Sequence, residues 1–101
     1  MAVEPLSQQD VEHRLQELPG WTTDGVRISR TYHFDGHFQA AAMVVHIAQI
    51  QEELGHHADT TLGYNTVALS VNTHSVGGKV TGLDVELARR VEAVAAGHGA
   101  R

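Results

Sequence analysis

Residues 55–74 read GHHADTTLGYNTVALSVNTH. Val67, Leu69 and Val71 alternate with Ala68, Ser70 and Asn72, the two-residue period of a strand with one buried face. Gly63, Tyr64 and Asn65 supply turn chemistry between this run and the one before it. The stretch predicts an antiparallel hairpin. Folded about Tyr64-Asn65, it sets His56 opposite the Thr73–His74 region, with facing Cα atoms ~4.5–5.5 Å apart. The hairpin therefore predicts that His56, His57 and His74 gather at one end. Gly77 and Gly78 follow directly, residues that let backbone come close to a ligand.

Working outward, Met43, Ile47, Ile50 and Leu54 share one helical stripe, widened by Ala41, Ala42, Val44, Val45 and Ala48. They predict a helix over 37–54, with Asp35 as its cap and Gly55 as its C-terminal stop. The breadth of the apolar face predicts cover on more than one side, by a sheet and by a second subunit. Upstream, Ser7, Asp10, Leu6 and Val11 have the spacing of a capped, stapled helix start. Val11, Leu15 and Leu18 form its face, and Pro19-Gly20 ends it. Asp24-Gly25 signals a two-residue hairpin. It leads into a strand in which Val26, Ile28, Tyr32 and Phe34 alternate with polar residues. Arg30 breaks that apolar row, so this part of the strand is expected to reach solvent or a site. Downstream, Thr81 and Asp84 have capping-box spacing, and Leu83, Leu87, Val91 and Val94 give a last helix its apolar face.

The order is α-β-β-α-β-β-α. It predicts one α+β domain over residues 1–101, a four-stranded antiparallel sheet with its helices packed on one face, and a loose tail at 96–101. With 101 residues the chain can bury a core of its own. It has no cysteine, so thiolate metal sites, thiol nucleophiles and disulfides are excluded. A net charge of −5 without a basic cluster argues against nucleic acid as partner. No apolar run approaches the ~20 residues of a membrane span, and the N-terminus lacks signal-peptide character. A cytoplasmic location is expected.

The eight histidines are the unusual feature. His13, His33, His37 and His98 read as solvated surface residues, and His46 as a core or interface residue. For His56, His57 and His74 two chemistries compete with that plain reading. Three imidazoles can hold zinc with an open fourth position, although side chains of adjacent residues diverge in extended backbone, which suits one ion poorly. Alternatively, histidine gives and takes protons near neutrality.

The segment EELGHHADTTLGYNTVALSVNTHSVGGKVTGLDVELA, residues 52–88, resembles the pterin-4a-carbinolamine dehydratase family. Glu52, His56, His57, Tyr64, His74 and Asp84 match its spaced signature, and LPGW, ISRTYHFDGHFQAA and GGKVTGLDVELA are similar to other family segments. The resemblance implies the α+β order already read. It also implies dehydration of 4a-hydroxy-tetrahydropterin to quinonoid dihydropterin, which recycles the pterin of aromatic amino-acid hydroxylases without metal or organic cofactor. On that basis His56 and His74 are the expected general acids at the hydroxyl, and His57 holds substrate and assists proton removal. Glu52 would face the pterin's N–H donors. Asp84 would orient a histidine or simply cap its helix. Ala58 and the backbone of Thr73, Ser75 and Val76 would complete the pocket, and Tyr64 would be a turn or core residue. Two residues depart from the family pattern. Ala58 stands where proline is common, which predicts a looser loop, and Thr60 where an aromatic is frequent. The spare apolar surface of the 37–54 helix predicts a homodimer or homotetramer, and the resemblance points to association without fixing the number. The resemblance admits a non-enzymatic dimerisation or assembly factor as the rival function.

Overall fold

The computed structural model describes residues 4–101. Helix α1 spans Gln8–Leu15, followed by strands β1 (Thr22–Thr23) and β2 (Ile28–His33). Helix α2 spans His37–Leu54, strands β3 and β4 span Asp59–Leu62 and Thr66–Val71, and α3 spans Gly82–Ala95. The sheet order is β1-β2-β4-β3, and every neighbouring pair is antiparallel. Strand β3 therefore runs parallel to β2 with β4 between them, and α2 is the crossover that such a connection requires.

One face of the sheet is buried. Ile28, Tyr32, Val67, Leu69 and Val71 point into the core, where they meet Met43, Ile47 and Ile50 of α2 and Val85, Leu87, Ala88 and Val91 of α3. Each fully buried aliphatic side chain among these contributes about 1.5–3 kcal/mol. On the other face Ser29, Thr31, His33, Ala68 and Ser70 are exposed or half-buried. The two-residue alternation read in β2 and β4 is thus the signature of helices packed on one side only.

Ser7 caps α1 by accepting the Asp10 N–H, and Leu6 ties this segment to the start of α3 through Val80. Four expectations are corrected. The β1–β2 connection is a four-residue loop, since Thr23 pairs with Ile28. Asp24 Oδ1 accepts the N–H groups of both Val26 and Arg27, which holds Asp24 below its ordinary carboxylate range, and only Gly25 takes positive φ. A type I′ turn would need positive φ at two residues. The cap of α2 is Gly36, with no side-chain bond, while Asp35 pairs with Arg101. Arg30 lies on the core side of the sheet, over the Tyr32 ring at 4.2 Å and within 4.0 Å of Glu92. Tyr32 donates to Glu92 at 2.6 Å and accepts from Trp21 Nε1. Burial, aided by that carboxylate, pushes the Tyr32 phenol well above its usual range.

The fourth correction concerns residues 96–101. They form a 3₁₀ turn, and Arg101 exchanges both backbone hydrogen bonds with His33. His98 Nε2 lies 2.8 Å from His46 Nδ1, so these two histidines join the tail to α2. His13, His33 and His37 are exposed as expected.

Candidate active site

The site is built on three chain junctions. The first is the end of α2. Gly55 adopts φ +63°, its N–H bonds Glu52 O, and the His56 N–H bonds Gln51 O at 3.1 Å. This reciprocal pair terminates the helix in a left-handed residue that glycine adopts without a Cβ penalty. His56 consequently leaves the helix at a fixed angle. The second junction is the end of β4. Asp59 pairs with Ser70 and Leu62 with Val67, and extending that register puts His56 level with Thr73. The third is the start of α3, where Thr81 and Asp84 form the expected capping box.

Asp84 is where the three junctions meet. It is fully buried. Its Oδ1 lies 2.5 Å from His56 Nε2, and its Oδ2 accepts the Thr73 hydroxyl and the Thr81 N–H, each at 2.8 Å. The donors can be assigned around the network. Leu83 N–H donates to Thr81 Oγ1, the Thr81 hydroxyl donates to Thr73 Oγ1, and the Thr73 hydroxyl donates to Asp84. A carboxylate only accepts, so the His56 bond uses Nε2–H as donor and leaves Nδ1 outside this bond. Of the two places considered for Asp84, Oδ2 takes the helix cap and Oδ1 the contact with a histidine.

The other expected residues are placed as follows. His57 is exposed, with Nε2 3.8 Å from Glu52, which is exposed as well. His74 begins the 3₁₀ turn His74–Val76 and is exposed, as is Ser75, while Val76 is half-buried. Among the described residues no two of His56, His57 and His74 are hydrogen-bonded to each other. Nor, among the described residues, is any set of three histidine or acidic side chains arranged to hold a metal ion. Thr73 was expected to offer its backbone to a ligand, but its polar groups are occupied. Its N–H bonds Lys79 O, its carbonyl accepts from Val76 and Gly78, and its hydroxyl serves Asp84. Thr73 supports the site from behind. Tyr64 is an exposed turn residue stacked on His37.

Sequence reasoning missed Gln51. It is buried in the last turn of α2, and its Oε1 accepts the Ala58 N–H at 2.7 Å. This bond anchors the position where alanine predicts a looser loop. The available signal was a polar residue adjoining the Met43–Ile47–Ile50 stripe.

The comparisons with known proteins agree with this architecture. The family described as pterin 4 alpha carbinolamine dehydratase matches residues 4–94. A Streptomyces avermitilis protein carrying the pterin-4-alpha-carbinolamine dehydratase name is 70% identical over 100 residues, 99% of each chain. One from Streptomyces coelicolor is 67% identical over the same share. The crystal structure of a transcriptional coactivator/pterin dehydratase from Brucella melitensis superposes with a TM-score of 0.84 at 31% identity. The match covers 90% of this chain and 98% of that one. A pterin dehydratase-like protein identified as a RuBisCO assembly factor shares the fold, with a TM-score of 0.59 at 20% identity over 73% of this chain and 84% of its own. The family match and the shared α+β fold thus define a dehydratase-type domain. The chain belongs to the pterin 4 alpha carbinolamine dehydratase family, a family of hydro-lyases.

Proposed function

We propose that the chain dehydrates 4a-hydroxy-tetrahydropterin to quinonoid dihydropterin by histidine acid–base catalysis. The observation that carries this reading is the His56–Asp84 pair. A buried carboxylate fixes the ring and its tautomer, and Nδ1 is the nitrogen left over for substrate. In the reaction the C4a–O bond breaks and its electron pair leaves with oxygen. The departing hydroxide takes a proton from an imidazolium, and the N5–H proton is lost as the N5=C4a bond forms. In this scheme His56, as imidazolium, gives the Nδ1 proton to the hydroxyl, and His74 serves the same oxygen from the facing turn. His57 takes the N5 proton, and Glu52 beside it meets the pterin's N–H donors. Ala58, Ser75 and Val76 line the pocket, and Thr73 acts through Asp84. Positioned acid–base groups contribute about 10²–10⁴-fold each, and the scheme requires no activated metal-bound water.

The protein is proposed to work in the cytoplasm. No described helix is long and apolar enough to cross a membrane. The likeness to the assembly factor is one of fold and does not bring its role here.

The test is a dehydration assay with freshly generated 4a-hydroxy-tetrahydropterin. His56→Ala and His74→Ala should each lose roughly 10²-fold or more in rate. Wild-type rates from both folded variants would exclude this mechanism.

A further inference from the structure

Gln51 is the only polar residue of α2 that the fold buries, at 9% exposure. Two bonds run from it to the histidine segment. Its main-chain carbonyl accepts the His56 N–H at 3.1 Å, and its side-chain Oε1 accepts the Ala58 N–H at 2.7 Å. Both ends of the tripeptide His56-His57-Ala58 therefore hang from one residue on a rigid helix. The first bond is a consequence of the helix stop and any side chain would allow it. The second exists only because position 51 carries an amide of the right length.

Support from elsewhere is sparse at this point of the chain. Strand β3 begins at Asp59 and lies at the sheet edge, paired with β4 alone. The segment that enters it thus has no strand on its outer side. Ala58 is half-buried against the core, and its N–H has the Gln51 amide as its partner. The His56–Asp84 contact is short, at 2.5 Å, and a small shift of the segment would lengthen it. Misplacement of a reacting group by about 1 Å is enough to cost up to 10²-fold in rate.

We infer that Gln51 is a positioning residue for the dehydration. By accepting the Ala58 N–H it fixes the His56-His57 segment, so that His56 meets Asp84 through Nε2 and turns Nδ1 outward. The inference rests on the acid role proposed for His56. It adds that the role depends on a side chain with no contact to substrate.

Four variants test it: Gln51→Leu, Gln51→Glu, Ala58→Pro and the double variant Gln51→Leu/Ala58→Pro. Leucine keeps the bulk and removes the acceptor. Its kcat should fall roughly tenfold with KM little changed, as for loss of alignment rather than of binding. Glutamate still accepts the N–H, so Gln51→Glu should stay near wild type. Proline has no N–H to leave unpaired and restrains the backbone through its ring. In the Ala58→Pro background Gln51→Leu should therefore cost little, which is coupling that a cycle of the four proteins measures. Two readouts are independent of turnover. The Ala58 amide should exchange faster in Gln51→Leu, and the downfield ring proton of His56 on Nε2 should weaken or disappear. An unchanged ring proton with wild-type kcat in Gln51→Leu would overturn the inference. So would an equal loss from Gln51→Leu with and without Ala58→Pro. Should the proline variants fail to fold, the contrast between leucine and glutamate decides. A wild-type protein that performs no dehydration would instead sink the proposed function, and the exchange and ring-proton data would still show whether Gln51 sets His56.

Discussion

Replacing Asp84 by asparagine keeps the size of the side chain and changes only what its atoms offer. The buried carboxylate accepts from three groups: Thr73, Thr81 and His56. Asparagine has one accepting oxygen. That oxygen serves the Thr73 hydroxyl and the Thr81 N–H, because the alternative leaves the helix start uncapped. The amide NH₂ then faces His56 Nε2 across the 2.5 Å contact, where two donors oppose each other. Either the ring withdraws or it adopts the other tautomer, with Nδ1–H outward and Nε2 as acceptor. Both outcomes remove the fixed donor geometry. Hydrogen bonds to a charged group are worth about 1.5–3 kcal/mol, so Asp84→Asn should destabilise the domain by about 2–3 kcal/mol. For a domain of this length that is a drop of roughly 8–24 °C in Tm. The rate should fall at least about 10²-fold, because the acid is lost along with its orientation. Thermal unfolding followed by circular dichroism measures the first effect, and stopped-flow dehydration below the variant's transition measures the second. A variant with wild-type rate and a Tm within a few degrees would refute the account of Asp84 as the shared acceptor.

Three further outcomes are expected. Dehydration should survive exhaustive chelation; stoichiometric zinc whose removal abolishes activity and whose return restores it would reverse that reading. Tyr32 has a raised folded-state pKa, caused first by burial and then by its bond to the Glu92 carboxylate. Its contribution to stability is therefore fully present below the unfolded value near 10 and is lost as pH rises beyond it. Tyr32→Phe should flatten the fall of Tm in that alkaline range, and parallel curves for the two proteins would contradict the assignment. The chain should also be a homo-oligomer, a dimer or a tetramer. On α2 the residues Phe38, Ala41, Val45 and Ala48 follow the three–four spacing of a helix–helix seam, and Phe38 and Val45 are 84% and 71% exposed. Light scattering that finds one species near 10.9 kDa would exclude association.

Much of the fold was legible because its signals are local. The bounds of α2 follow from Gly55 and the Met43–Ile47–Ile50 stripe, and the observed helix is His37–Leu54 as read. The β3–β4 register follows from a turn at 63–65 and strict alternation, and the Thr81–Asp84 box from spacing alone. What escaped the reading is decided by residues far apart in sequence. Arg101 completes the end of β2 at His33, a partner that tail composition gives no hint of. Arg30 reads as a solvent-seeking cation until Glu92 of α3 and the Tyr32 ring are placed beside it. Asp24-Gly25 carries the signal of a tight hairpin, yet the Asp24 side chain satisfies two successive N–H groups and so stabilises a longer loop. In the candidate site, the placement of His56 level with Thr73 follows from the hairpin register, and that of Asp84 from the capping-box spacing. Gln51 was not legible, because its value depends on where the chain turns after Gly55.

The support of the site follows from how these elements share acceptors. A half-buried histidine could be held by a dedicated carboxylate, at the cost of burying one more charge. Here the charge is one the fold already needs, since Asp84 caps α3 from inside the core. Thr73 and Thr81 satisfy its second oxygen fully, so the first is free to take a single donor from the end of α2. The geometry of His56 is therefore set by the packing of α2, β4 and α3 against one another. Substitutions that loosen this packing, even at residues remote from substrate, would move the ring before they unfold the domain. Gln51 guards the same arrangement from the other side, holding the backbone while Asp84 holds the ring. The two restraints act on different coordinates, one on the backbone at Ala58 and one on the His56 ring, and together they fix both where the imidazole sits and which nitrogen it presents.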